Sequence, residues 1–104
     1  MWVGYVRSQQ LLEPPYSQIT RLVALGCQSL FIEVSSGDHL ERPVLHRAID
    51  SLQPGDVFIV GDSDRLSRNG LQMKVLIGRI QRKQATLRLL GPQDELTDVE
   101  PDEP

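Results

Sequence analysis

Val57-Phe58-Ile59-Val60 is an unbroken apolar run, opened by the Pro54-Gly55 turn and closed by Gly61. A strand wetted on one side alternates apolar and polar residues; a continuous run fits a strand covered on both faces, as in a parallel sheet. The rest of the chain repeats the theme. Met1 to Val6 and Leu30 to Ile32 read as short strands, and Ala85 to Leu90 reads as a fourth, ended by Gly91-Pro92. Helical periodicities lie between them. Ile19, Leu22, Val23 and Leu25 follow Ser17 at helical spacing and stop at Gly26, where a helix end favours positive φ. Pro43 suits the first turn of a helix running to about Ser51, with Leu45, Ala48, Ile49 and Leu52 as its apolar stripe. A third helix spans roughly Asn69 to Gln84, with Leu71, Val75, Leu76 and Ile80 expected inward.

Strands alternating with helices need crossover connections. The expected fold is therefore a three-layer α/β domain, a mainly parallel sheet of about four strands with helices on both faces. A chain of 104 residues is long enough for one such core and too short for two. Its single cysteine, Cys27, excludes an internal disulfide, and with two histidines a four-ligand zinc site would need carboxylates. Cys27 reads as a small buried apolar residue; His39 and His46 read as surface or partly packed groups. With no P-loop and no dinucleotide glycine motif, neither metal nor small-molecule cofactor is expected. Nor does any apolar run reach the ~18 residues of a membrane span, and the N-terminus lacks a signal peptide's pattern. The reading is a cytoplasmic protein without membrane contact.

The formal charge of −3 divides unevenly. Six of the fourteen acids, Asp94, Glu95, Asp98, Glu100, Asp102 and Glu103, fall in the last eleven residues, which contain no Lys or Arg. Residues 1–93 carry net +3, and nine of their eleven bases are arginine, the planar donor suited to bidentate phosphate contacts. Residues 1–93 are expected to form the folded domain. The acid-rich, Pro-containing segment 94–104 has too little apolar surface to order itself and is expected to be a disordered tail.

In parallel α/β sheets ligands bind beyond the carboxyl ends of the strands, near a topological switch point. That edge collects Arg7-Ser8 after the first strand, Glu33 to Arg42 after the second and Asp62 to Arg68 after the third. Arg65 and Arg68 are three apart at a helix start and share one face. They suit a grip on one phosphate and its pentacoordinate transition state. A surface network in which Arg65 pairs with Asp62 or Asp64 fits the same spacing.

Asp64-Arg65-Leu66-Ser67-Arg68, Ser36-Gly37 followed by Glu41-Arg42-Pro43, and Gly4-Tyr5-Val6-Arg7 together resemble the catalytic domain of the serine recombinases, the resolvases and DNA invertases. The resemblance covers roughly residues 3–93. It implies a resolvase-like fold and metal-free DNA strand exchange: a serine hydroxyl attacks a phosphodiester, leaving a 5′-phosphoserine link and a 3′-OH, while an arginine group does the work of metals. Arg7, Arg42, Arg65 and Arg68 would form that group, Asp64 would orient an arginine, and Gln18 would support the nucleophile loop. Glu33 stands where the family has an aspartate. The implied partners are DNA and, for assembly, a second copy or a full-length recombinase.

Two departures from the family stand out. Family members have Arg, one residue, then Ser; here Arg7-Ser8-Gln9 puts Gln9 in the serine's position by gapless counting to Gln18, so Ser8 is the nucleophile candidate only if the loop is remodelled. The family also continues into a dimerisation helix and a DNA-binding region, where this sequence turns acidic. The alternative is a non-catalytic module that binds DNA or a protein through the arginine edge. A magnesium-binding receiver domain of similar topology is disfavoured, because the first strand ends in Val6-Arg7 instead of an acidic pair.

Overall fold

In the computed structural model, residues 1–8, 16–34, 43–61 and 70–99 are described, with the backbone alone at Ser8, Val34 and Gly70. The element order is β1 (Trp2–Ser8), α1 (Tyr16–Leu25), β2 (Ser29–Val34), α2 (Pro43–Asp50), β3 (Val57–Gly61), α3 (Gly70–Arg82), β4 (Thr86–Leu90) and β5 (Leu96–Val99). The sheet order is β2-β1-β3-β4-β5. The first four strands run parallel and β5 lies antiparallel to β4.

The handedness of crossovers explains where the helices lie. From β1 the chain steps outward to β2 through α1, then back across β1 to β3 through α2, and onward to β4 through α3. Right-handed crossovers that step in opposite directions must cover opposite faces. Accordingly, buried residues of α2 and α3 pack with Val3, Tyr5, Phe58, Val60 and Leu87, whereas Leu22 of α1 packs with Val6, Ile59 and Leu90. Each strand thus sends alternate side chains to the two layers. The expected three-layer, mainly parallel architecture is the observed one. Gly4 lies on the α1 side because α1 approaches closely: an added Cβ would sit 3.1 Å from Leu22 Cδ1 and 2.7 Å from Leu30 Cδ2.

Helix ends follow local chemistry. Gly26, with φ of 102°, closes α1: its N–H bonds to Val23 O, and the Cys27 N–H bonds to Leu22 O. The same pattern closes α3, where Gln84 takes φ of 59°, its N–H bonds to Gln81 O and the Ala85 N–H bonds to Ile80 O. This is a Schellman ending with a non-glycine residue in the left-handed region. It stops the helix at Arg82, two residues before the expected end.

Two expectations need correction. The buried stripe of α3 is Leu76, Ile77 and Ile80, with Met73 against it, a complete i, i+3, i+4, i+7 set. Leu71 and Val75 lie outside it and are 74% and 57% exposed. The second concerns the acidic segment, in which Leu96–Val99 forms a fifth strand where disorder was expected. Leu96 packs on the α1 side and Val99 on the α2–α3 side. The acids also find partners: Arg88 Nε lies 2.7 Å from Asp98 Oδ1, and Arg21 Nε 2.6 Å from Asp94 Oδ1. Arg21 also donates to the Gly91 carbonyl, tying the β4–β5 turn to α1.

Candidate active site

β1, β2 and β3 end at the same edge of the sheet, and the chain reverses direction of winding between β1 and β3. That crevice is the switch point at which open α/β sheets bind ligands. Arg7 and Glu33 arrive there as register partners on β1 and β2. By alternation from Val3 and Tyr5, Arg7 belongs to the α2–α3 face, where it is half-buried.

Glu33 is 3% exposed, and both of its oxygens are used. Oε1 accepts the hydroxyl proton of Tyr5, itself 2% exposed. Oε2 accepts the backbone N–H of Val44 at 3.0 Å. Val44 is the second residue of α2, so this N–H belongs to the first turn, which has no intrahelical acceptor. The first turn of α2 carries no acidic residue of its own. A carboxylate from the neighbouring strand supplies both the missing acceptor and the negative charge that a helix N-terminus favours. Being a glutamate, it spans the gap between a phenol on β1 and a helix on the layer above.

Of the sequence-derived candidates, the structure brings Arg7 and Glu33 to one level of the carboxyl edge. Gln18 is in the first turn of α1, on the opposite layer, and is half-buried. Ser8 is the last residue of β1, its backbone paired with Val34. Arg42, Asp64, Arg65 and Arg68 lie outside the described residues; in the chain, Arg42 directly precedes α2, and the other three fall between β3 and α3. Among the described residues no group of three His, Cys, Asp or Glu side chains could hold a metal ion. No described helix is long and apolar enough to cross a membrane.

Tyr5, which the sequence offers only as part of Gly4-Tyr5-Val6-Arg7, joins the site through its bond to Glu33. The available signal was an acid, Glu33, inside the apolar strand Leu30-Phe31-Ile32-Glu33-Val34, since a buried carboxylate needs donors and a buried phenol needs an acceptor.

Fold and site together define an open α/β protein of the class whose chemistry sits at strand carboxyl ends, here with an arginine and a buried carboxylate in register. The family model described as "Resolvase, N terminal domain" matches residues 2–102, and the chain belongs to that family. It is 34% identical over 90 residues to the serine recombinase gin of Escherichia phage Mu, covering 86% of this chain and 47% of that protein. It is 30% identical over 102 residues to the transposon Tn1546 resolvase of Enterococcus faecium, covering 98% and 52%. A resolvase of Clostridium perfringens is 34% identical over 106 aligned positions, covering 100% of this chain and 55% of that protein. The chain thus spans about half the length of these relatives.

Proposed function

We propose that this chain acts in site-specific DNA recombination as a catalytic domain that cuts and rejoins DNA through a phosphoserine link. The observation that carries the reading is the pairing of Arg7 with a buried, fully hydrogen-bonded Glu33 at the carboxyl edge of a resolvase-family sheet. Ser8 closes β1 in register with Val34, so it must first leave that pairing; its Oγ would then attack phosphorus, forming the Ser–O–P bond as the 3′ oxygen departs with a proton as 3′-OH. Rejoining reverses the step: the 3′ oxygen attacks the phosphoserine and Ser8 regains its proton. Arg7, Arg42, Arg65 and Arg68 would neutralise the charge of the pentacoordinate transition state, with Asp64 orienting an arginine and Gln18 supporting the segment that begins at Ser8. A nucleic-acid partner and a cytoplasmic location go with this reading. So does assembly with a second copy or with a full-length recombinase.

The second reading, a recombinase-like module that binds without cutting, rests on Gln9 occupying the family's serine position. One experiment separates them. The chain is incubated with a nicked duplex bearing a recombination site, alone and beside an intact recombinase, with Ser8→Ala as control. A covalent adduct lost in Ser8→Ala is the expected result. No adduct under either condition assigns the chain to the binding module.

A further inference from the structure

We propose that Arg21 is a positioning residue: held by the β4–β5 turn, it seats α1 on the sheet and so sets where Gln18 stands, given the reading above that Gln18 serves the reaction.

α1 has a small apolar seat. Among its ten residues, all described, Leu22 alone is buried, with Ile19 and Leu25 partly buried beside it; the shorter α2 buries Leu45, Ala48 and Ile49. So few buried contacts leave the rotation and slide of a helix weakly fixed. Gln18 lies three residues before Arg21 and four before Leu22, so the three share one face, and Gln18 is half-buried there. What holds Arg21 therefore holds Gln18.

The turn is built to hold it. β4 runs parallel to β1 and β3, so the turn that follows it, Gly91 to Glu95, stands at the same edge of the sheet as Arg7 and Glu33. Arg21 Nε donates to Asp94 Oδ1 at 2.6 Å, and the same guanidinium donates to the Gly91 carbonyl, which also accepts the Asp94 N–H at 3.1 Å. A planar fork engaged at two points is fixed in direction as well as distance. Glu95 braces the loop: its Oε2 accepts the Gln93 N–H at 2.9 Å, and its side chain fills the space that a Cβ on Gly91 would need. Asp94 takes φ of 62°, in the left-handed region. Glycine or asparagine would serve the turn there, so the carboxylate is accounted for by the arginine it meets.

The test uses the whole chain. Asp94→Asn keeps the shape and suits the left-handed turn but removes the charge, and Arg21→Gln removes the other partner. In both, amide exchange at Leu22 to Leu25 should quicken about three- to fivefold while the amides of Phe58 to Val60 keep their rates. Adduct formation on the nicked duplex should slow by about the same factor with the half-saturating DNA concentration unchanged. The thermal midpoint of Asp94→Asn should stay within about 2 °C of the parent's, which separates positioning from a purely stabilising role. Arg21→Lys keeps the charge without the fork and should recover part of the rate. The double variant Asp94→Asn with Arg21→Gln should go no further than Arg21→Gln, because both changes break one contact. Unchanged exchange in α1, additive effects in the double variant, or an adduct rate equal to the parent's would each overturn the proposal. If the parent chain forms no adduct, the catalytic reading fails by itself, and the exchange rates in α1 alone decide whether the turn seats the helix.

Discussion

Arg7 and Glu33 face each other in the β1–β2 register, although a whole helix separates them in the chain. Their meeting is a product of parallel pairing, which aligns strand ends and so gathers at one edge whatever residues close each strand.

Glu33 is the more consequential of the two for stability. Glu33→Ala leaves the buried Tyr5 hydroxyl and the Val44 N–H without their acceptor, so a loss of about 2–4 kcal/mol is expected in urea unfolding. Glu33→Gln retains one acceptor and should lose about half as much. A loss from Glu33→Ala below about 0.5 kcal/mol would mean that neither group depends on the carboxylate.

Asp56 sets a pH response. Its carboxyl is held below the usual carboxylate range by the Gln53 N–H bond at 2.8 Å, against the opposing pull of burial and with help from the Met1 ammonium 3.0 Å away. A depressed folded value means that the stabilisation is complete above the unfolded value of about 4 and is lost as pH falls through the lower folded one. The stability gap between the parent and Asp56→Asn should therefore be constant from about pH 5 to about pH 7 and shrink below about pH 4. A gap that widened on acidification would contradict the assignment.

The two Schellman endings respond oppositely to substitution. Gln84→Gly relieves an L-residue in the left-handed region and should raise stability by about 0.5–1 kcal/mol. Gly26→Ala creates the same conflict at φ of 102° and should cost about 1–2 kcal/mol, although its Cβ would meet nothing within 4 Å. Thermal unfolding of both variants checks the pair.

On α3, Ile80→Ala should cost about 2–5 kcal/mol, since Ile80 is buried in the core beneath the helix. Val75→Thr should change stability by less than about 0.5 kcal/mol, since Val75 is largely exposed. Equal costs at the two positions would contradict the orientation of the helix.

Arg21→Ala should loosen the β4–β5 hairpin, costing about 0.5–1 kcal/mol because the Asp94 side of the contact is open to water. Its signature is local: amide exchange should accelerate in Leu96–Val99 and not in β3. Uniform acceleration throughout the sheet would rule out a local tether.

Much of this architecture was legible from neighbours in the chain. The run Val57 to Val60 marked a strand covered on both sides, Gly26 marked a helix end, and the spacing of Leu45, Ala48, Ile49 and Leu52 marked the buried face of α2; all three are as observed. The α3 stripe was misread because Leu71, Val75 and the true inward set overlap in periodicity, and only the docking of the helix selects Met73, Leu76, Ile77 and Ile80. At the site, strand order put Arg7 and Glu33 at the carboxyl edge and the family resemblance singled them out, whereas Tyr5 went unmarked because its hydroxyl has a role only once β1 and β2 are paired.

The sequence by itself determined the order of elements through β4, the parallel crossovers and two opposite covered faces, because these follow from side-chain period, turn chemistry and the handedness of the chain. Tertiary structure decided the rest. An acidic segment became β5 because Arg21, 73 residues before Asp94, and Arg88 on the adjacent strand neutralise it, while Leu96 and Val99 reach opposite layers. A glutamate became the cap of a helix on another layer because strand register brought a phenol from 28 residues away to hold it. Such partnerships depend on register and sheet order, which no local pattern in the chain encodes.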